Sequence, residues 1–382
     1  MEYRPGDILD DQQAMSLALD EGKKGLGRVS PNPPVGCVIV DKDHRLISAG
    51  HHQRCGGPHA EIEALNQVDD PNRLEGAQVF VTLEPCSHHG KTPPCADKLA
   101  SLPLARVVYG LQDPNPKVAG RGAERLSRAG IKTQVWSGSL GDELAELIEV
   151  FRCNMEKGRP FFALKVATTL DGNLAEKSGK SRWITGEESR QHVHILRSYY
   201  DSVLVGCNTV IVDDPRLNIR LGDDVRKNKV VILDPQNKLG FQMRTYELFK
   251  CRGPVDVFQI VSPGYEGGAD TDWNQLSLPL GPTGHFDSLA LAHSLFKAGI
   301  NSVFVEGGAD TFSQLVGSGI VDRLYLFMAP KLLGGINGKG WLNGFASQGL
   351  DTCPKMSSHR VTTFGEDFLI EGLLQIADEG MA

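Results

Sequence analysis

A histidine, a glutamate two residues beyond it and two cysteines farther along form the first group in this sequence whose types and spacing could do chemistry. The string Pro58-His59-Ala60-Glu61 is expected to open a helix, and the stretch from Glu84-Pro85-Cys86 to Pro94-Cys95 to follow a strand and open another. One imidazole and two thiolates are ligands of the kind zinc favours, and three protein ligands leave the fourth tetrahedral position to water, as in catalytic zinc sites. Glu61 is not needed as a ligand. It sits where a carboxylate could take a proton from activated water and hand it to a ring nitrogen and then to a departing amine. Both cysteines are expected near helix N-termini, whose partial positive charge offsets a thiolate. The competing reading is a closed structural zinc with Cys55, four residues before His59, as fourth ligand. Such a site would have no use for Glu61.

A second group lies in the other half of the chain. A strand from Ser302 to Glu306 runs into Gly307-Gly308-Ala309-Asp310-Thr311 and then a helix. Paired glycines let the backbone approach a pyrophosphate closely while helix N-terminal amides donate to it, although strand-Gly-Gly-helix is also a common structural turn. The Gly-x-Gly-x-x-Gly dinucleotide fingerprint is missing from this half.

The elements that must position these groups follow from periodicity. Before residue 158 a helical run at 12–21 is followed by strands at 35–40, 78–83, 107–109 and 131–135, with helices between them. This is α/β grammar with a largely parallel sheet expected. A helix at 143–155 runs into Gly158-Arg159-Pro160, where glycine and proline stop it, so the domains divide as 1–158 and 159–382. Alternation restarts with strands at 161–166, 202–205, 230–233, 256–261, 302–306 and 323–328 and helices at 188–199, 288–298 and 310–316. A closing antiparallel strand is expected at 364–373 with Gly365 near its turn. The Gly-, Pro- and Asp-rich stretch 263–284 reads as a surface excursion.

Length and composition narrow the classes. The 382 residues suit two domains. Forty Lys and Arg against forty-seven Asp and Glu leave a formal charge of −7, and no aromatic-basic clusters occur, which argues against nucleic acid as partner and against a nucleic-acid deaminase. No apolar run approaches the length of a membrane helix, and the first residues resemble neither a signal nor a transit peptide; a cytoplasmic protein is expected. Eight cysteines are too sparse for a disulfide scaffold and include no Cys-x-x-Cys pair, so metal binding or catalysis outranks crosslinking. Cys37, inside an apolar strand, reads as core.

The first group matches the His-x-Glu and Pro-Cys-x-x-Cys signature of zinc nucleobase deaminases, except that eight residues rather than two separate its cysteines. Four strings, Ser30-Pro31-Asn32-Pro33-Pro34-Val35-Gly36, Gly57-Pro58-His59-Ala60-Glu61, Glu84 to Cys95 and Asp113 to Gly122, resemble the deaminase half of the bifunctional riboflavin-biosynthesis deaminase/reductases over most of residues 10–150. The enlarged loop belongs to that family. Leu164 to Gly172, Ser181 to Thr185, Gly206 to Arg220 and Ala329 to Gly335 resemble its reductase half over 160–375, with a diverged middle.

The resemblance implies an α/β protein, a cytidine-deaminase-like zinc domain followed by a dihydrofolate-reductase-like domain. It implies zinc and NADPH as cofactors and a small pyrimidine ribosyl phosphate as substrate, with no nucleic-acid or membrane partner and a homo-oligomeric state. The reactions implied are hydrolytic loss of the 2-amino group of 2,5-diamino-6-ribosylamino-4(3H)-pyrimidinone 5′-phosphate and reduction of the ribosylamino side chain. His59, Cys86 and Cys95 would bind the metal, with Glu61 catalytic. Asn32, His51 and Lys91 would contact the first substrate, while His88 and His89 shape the loop. Ala167, Trp183, Thr209, Asp213, Gly308, Ala309, Asp310 and Thr311 fall on cofactor positions, and Ser181, Arg197, Leu217, Arg220 and Glu306 on substrate positions. The two arginines suit a phosphate. Trp183 would pack on the nicotinamide or the pocket wall, a core tryptophan being the alternative. The family usually has a hydroxyl residue after the aspartate that ends the 230–234 strand; Pro235 stands there, so that cofactor contact is absent or moved.

Overall fold

The computed structural model describes residues 3–375 apart from 89–92, 117–118, 182, 223 and 267–272. The chain divides into two compact units, residues 1–158 and 159–382.

In the first unit, helix α1 (Asp11–Lys23) is started by a capping box between Asp10 and Gln13. Strands β1 (Gly36–Val40), β2 (Leu46–His51), β3 (Gln78–Leu83), β4 (Arg106–Leu111) and β5 (Lys132–Val135) form one sheet in the order β2-β1-β3-β4-β5. The expectation of a largely parallel sheet needs correcting. The pairs β3–β4 and β4–β5 are parallel, but β1 runs antiparallel to both β2 and β3. The reason is local: β1 is followed at once by its hairpin partner β2, and a short connection permits only antiparallel pairing. All five residues of β1 and all six of β3 are buried, because helices cover both faces. Gly36 is needed for that covering, since a Cβ there would lie 1.9 Å from the carbonyl oxygen of Ala18 on α1. Helices α2 (Ala60–Leu65) and α3 (Cys95–Ala100) carry the chemically loaded residues, and α4 (Arg121–Arg128) follows β4. The single helix expected at 143–155 is two, α5 (Gly141–Leu147) and α6 (Glu149–Lys157), separated at Ile148. Gly158, at φ 61°, ends α6 in the left-handed conformation glycine favours.

The second unit is built on a nine-stranded sheet. Its strands are β6 (Phe161–Thr169), β8 (Ser202–Gly206), β11 (Lys229–Leu233), β12 (Val257–Val261), β13 (Asn274–Ser277), β14 (Ser302–Val305), β15 (Arg323–Ala329), β17 (Lys355–Phe364) and β18 (Asp367–Gln375). Strands β7 (Asn173–Glu176) with β16 (Gly338–Gly340), and β9 (Ile219–Leu221) with β10 (Asp224–Arg226), form two small ribbons. The large sheet runs β13-β12-β11-β8-β14-β6-β15-β18-β17. It is parallel from β13 to β15 and closes with the antiparallel β17–β18 hairpin. Gly365, at φ 59°, makes the hairpin turn. The excursion expected at 263–284 instead contributes edge strand β13, whose first residues fall to the polar side of a simple apolar pattern. Helices α7 (Glu187–Arg197), α8 (Cys207–Asp213), α9 (Glu247–Lys250), α10 (Ser288–Lys297) and α11 (Ala309–Gly317) complete this unit. Val305 lies opposite Leu204 on one side and Leu164 on the other, so the carboxyl ends of β8 and β14 lie together beside β6, which runs on past them, at the edge where open parallel sheets present ligands. No helix among the described residues is long and apolar enough to cross a membrane.

Candidate active sites

His59 is the residue that caps α2, and its side chain makes no capping bond. The imidazole is thereby left to face inward, where Nδ1 lies 3.5 Å from Cys86 Sγ and 3.4 Å from Cys95 Sγ. Cys86 follows β3, and Cys95 is the first residue of α3 and donates its backbone N–H to Cys86 Sγ at 3.3 Å. The ligand atoms of all three lie within 4.8 Å of one another. A tetrahedral centre with legs of about 2.0 Å to nitrogen and 2.3 Å to sulfur has an N···S edge of about 3.5 Å. The three side chains therefore stand at the separations zinc requires. Among the described residues Cys55 is exposed and does not join them, which removes the fourth ligand of a closed structural site. Hydrogen bonding with the Cys95 thiol, working against burial, draws Cys86 down to about 4, while the same bond and burial push Cys95 up.

Glu61, in the first turn of α2, is 3% exposed. Burial, aided by the Cys86 sulfur, pushes its carboxyl up to about 7, the range in which a group both accepts and returns a proton at neutral pH. It lines a cavity of about 310 Å³ together with Asn32, His52, His59, Glu84, Cys86, His88, Asp113, Asn115, Phe151 and Met155. Asn32 Nδ2 lies 3.0 Å from His52 Nε2, and the other ring nitrogen of His52 lies 2.7 Å from the carbonyl of Pro58. The ring then donates to Pro58 and accepts from Asn32, which fixes the carboxamide against the cavity.

His51 needs correcting. It closes β2 with its side chain turned away from this cavity and paired with Glu21 at 3.0 Å, because successive residues of a strand face opposite ways; its neighbour His52 takes the inward place. Lys91 and His89 lie outside the described residues. The sequence reading also passed over Glu84, whose carboxylate accepts from the backbone N–H groups of Asp113, Gly120, Gly122 and Ala123. That single side chain ties the end of β3, next to Cys86, to the 113–123 segment and so places Asp113 and Asn115 on the cavity wall. Cys37 is fully buried in the core.

In the second unit a cavity of about 290 Å³ opens at the ends of β8 and β14, lined by Gly206, Cys207, Thr209, Pro235, Lys238, His285, Gly308, Ala309, Asp310 and Thr311 among others. Five of the eight expected cofactor positions are thus brought together. Gly307 and Gly308 divide the work of the turn. A Cβ on Gly307 would sit 2.8 Å from Thr311 Cβ, whereas one on Gly308 would meet nothing within 4 Å and would fill cavity space. Pro235 lines this cavity and offers it no hydroxyl. Ala167, Trp183 and Asp213 are not on this lining. Trp183 is 65% exposed with the Arg190 guanidinium 4.4 Å from its ring, so the core-tryptophan alternative is excluded. Its segment is braced by Lys331, whose ammonium donates to the carbonyls of Trp183 and Ile184.

The substrate positions separate into two kinds. Ser181 and Arg220 are exposed, with Arg220 Nη2 3.2 Å from His194 Nε2. Arg197 is buried, Glu306 is largely so, and the two are joined: Arg197 Nε donates to Glu306 Oε1 at 2.7 Å, Arg197 Nη1 to the carbonyl of Asn218 at 2.6 Å, and Lys165 Nζ lies 3.2 Å from Glu306 Oε2. The idea of Arg197 as a free phosphate fork is corrected, since this carboxylate and carbonyl occupy it. Burial alone would raise the Glu306 carboxyl; the Arg197 and Lys165 charges outweigh it and bring it down to about 2. Leu217, at φ 49°, has its side chain in the core and its carbonyl bonded to Arg252.

The description "Cytidine and deoxycytidylate deaminase zinc-binding region" fits residues 9–111, and "RibD C-terminal domain" fits residues 160–370. The chain belongs to the RibD family. Riboflavin biosynthesis protein RibD of Escherichia coli is 38% identical over 347 residues, spanning 85% of this chain and 89% of that protein. RibD of Aquifex aeolicus is 36% identical over 361 residues, spanning 94% and 97%. Among solved structures, the Thermotoga maritima diaminohydroxyphosphoribosylaminopyrimidine deaminase/5-amino-6-(5-phosphoribosylamino)uracil reductase is 36% identical with a TM-score of 0.82, covering 95% of this chain and 97% of its own. One form of Acinetobacter baumannii RibD gives a TM-score of 0.81 at 36% identity, covering 96% and 99%. The RibD relationship therefore runs through both units.

Proposed function

We propose that residues 1–158 deaminate 2,5-diamino-6-ribosylamino-4(3H)-pyrimidinone 5′-phosphate and that residues 159–382 reduce the product to 5-amino-6-(5-phosphoribitylamino)uracil with NADPH. The chain is a bifunctional riboflavin-biosynthesis deaminase/reductase. The observation that carries the first half is Glu61, buried beside a three-ligand cluster and lining a cavity big enough for a pyrimidine.

His59, Cys86 and Cys95 would hold zinc, which when bound supplies the Lewis acidity that makes water nucleophilic at neutral pH. Glu61 takes the proton of the attacking water on its carboxylate and returns it to the leaving amine, a double duty suited to a pKa near neutrality. Asn32, held by His52, orients the pyrimidine edge, and Asp113 and Asn115 close the opposite wall. Lys91 is assigned to the 5′-phosphate. In the second half the Gly308–Thr311 turn with Thr209 receives the cofactor's phosphates on backbone N–H groups, Ala167 and Trp183 bound the nicotinamide, and Asp213 completes the cofactor contacts. NADPH supplies the hydride; the chain's part is positioning. Ser181, Leu217, Arg220 and the Arg197–Glu306 pair surround the open-chain sugar. The same reading places the protein in the cytoplasm as a homo-oligomer, which light scattering on the purified protein tests.

The direct test is mass spectrometry of the diamino substrate incubated with the protein, with and without NADPH. Without it, only exchange of an amino group for oxygen is expected; with it, addition of two hydrogens as well. An unchanged substrate in both arms would overturn the reading.

A further inference from the structure

The segment Asp214 to Arg220 links α8 to β9 and carries Leu217 and Arg220, two of the residues assigned to the reductase substrate. Its backbone is unusual: Asp214 and Leu217, neither a glycine, have φ of 41° and 49°. Side-chain-bearing residues occupy that region only where their surroundings force it.

Asp214 caps α8, and the carbonyls around Leu217 are held by an arginine from a different part of the chain. Arg252, just beyond α9, is 6% exposed. Its Nη1 donates to the carbonyl of Arg216, its Nη2 to the carbonyl of Leu217 at 2.8 Å and its Nε to the carbonyl of Asn228 at 3.2 Å, with Cys251 Sγ 3.4 Å from Nη1. No carboxylate is among these hydrogen-bond partners, and burial lowers the pKa of the group against the opposing pull of Cys251 and Asp256. A buried cation held by carbonyls and a thiol, with no carboxylate bonded to it, is an expensive way to gain stability, so its use lies in the carbonyls it fixes. Arg197, itself anchored on Glu306, takes the next carbonyl, that of Asn218. Two buried arginines thus grip three consecutive carbonyls of one loop. Five N–H donors in a planar fork can do this; a lysine's single ammonium cannot reach carbonyls from two separate segments with the same geometry.

We propose that Arg252 is a positioning residue of the reductase: by holding the carbonyls of the 214–220 loop it sets that loop so that the Leu217 N–H and the Arg220 side chain meet the sugar phosphate. The inference rests on the assignment of that loop to the substrate, and the experiment separates the two. Steady-state reduction of the deaminated substrate would be measured on full-length Arg252→Met, Arg252→Lys and Arg220→Ala, with NADPH dissociation constants from fluorescence titration. Both Arg252 variants should raise the substrate KM, Arg252→Met by about tenfold or more and Arg252→Lys by less, while the NADPH constant stays within about twofold. Deamination should be unchanged. A substrate KM unaffected in both Arg252 variants, or rising in step with the NADPH constant as general loosening of the unit would give, overturns the proposal. If Arg220→Ala raises KM and the Arg252 variants do not, positioning by Arg252 fails while the substrate loop stands; if Arg220→Ala also leaves KM unchanged, the substrate assignment itself falls.

Discussion

Glu61 is 3% exposed beside three ligand groups whose donor atoms lie within 4.8 Å of one another, whereas in the second unit Trp183 is 65% exposed and Ser181, Asp213 and Arg220 face solvent. The first site is made of side chains gathered by a helix cap, a strand end and a second helix start. The second is a cleft at strand ends, with a turn whose Gly308 leaves room and a lining shared among many residues. The difference follows from the chemistry. Deamination asks the protein to hold a metal and move a proton, which needs particular side chains at fixed separations. Hydride transfer is done by the cofactor, so the protein needs only to shape a cleft around a large ligand.

The largest expected effect breaks the first site without touching the second. Glu61→Gln should lower deamination by about a hundredfold to ten-thousandfold with zinc retained by elemental analysis, and should still reduce the deaminated substrate. His59→Ala, Cys86→Ser and Cys95→Ser should lose the metal, and Cys55→Ser should keep it. Zinc loss from Glu61→Gln would make Glu61 a ligand.

Arg197→Ala should come next, since it leaves the buried Glu306 with Lys165 alone and costs about 3 kcal/mol in denaturant unfolding. The pH dependence has a definite sign. The folded pKa of Glu306 lies near 2, below its ordinary 4.5, so its contribution is present above about 4.5 and is lost as pH falls toward 2. In Arg197→Ala that acid limb should move to higher pH, read from unfolding midpoints across an acid series.

Gly308→Val should weaken NADPH binding by about tenfold, because its side chain would occupy cavity space, and leave the thermal midpoint near that of the parent. Gly307→Ala should do the reverse, lowering the midpoint through the Thr311 clash. Fluorescence titration and calorimetry together read both.

The smallest effect is expected at His51. His51→Ala should cost less than about 1 kcal/mol, as partly exposed polar pairs do, and leave deamination alone. His52→Ala should raise the deaminase KM by releasing Asn32.

These contrasts also mark what the sequence shows. The metal ligands and Glu61 are legible because zinc fixes both residue type and spacing, and the buried parallel strands because their apolar runs are continuous. His51 and His52 are adjacent imidazoles, one the last residue of β2 and the other just past it, and the exact end of a strand is what a sequence shows least well. Glu84 looks like part of the cysteine motif, and its bonds to the 113–123 backbone arise only from the fold. The break at Ile148 is hidden for a similar reason: it does not interrupt an apolar pattern. Arg252 gives no signal at all, because its partners are carbonyl groups, which every residue has.

The claim that one chain runs two chemistries in two units is tested most directly by chelation. The protein, stripped of metal and assayed in parallel on the diamino substrate and on the deaminated substrate with NADPH, should lose the first reaction and keep the second, with zinc restoring the first. Equal loss of both reactions would contradict the account.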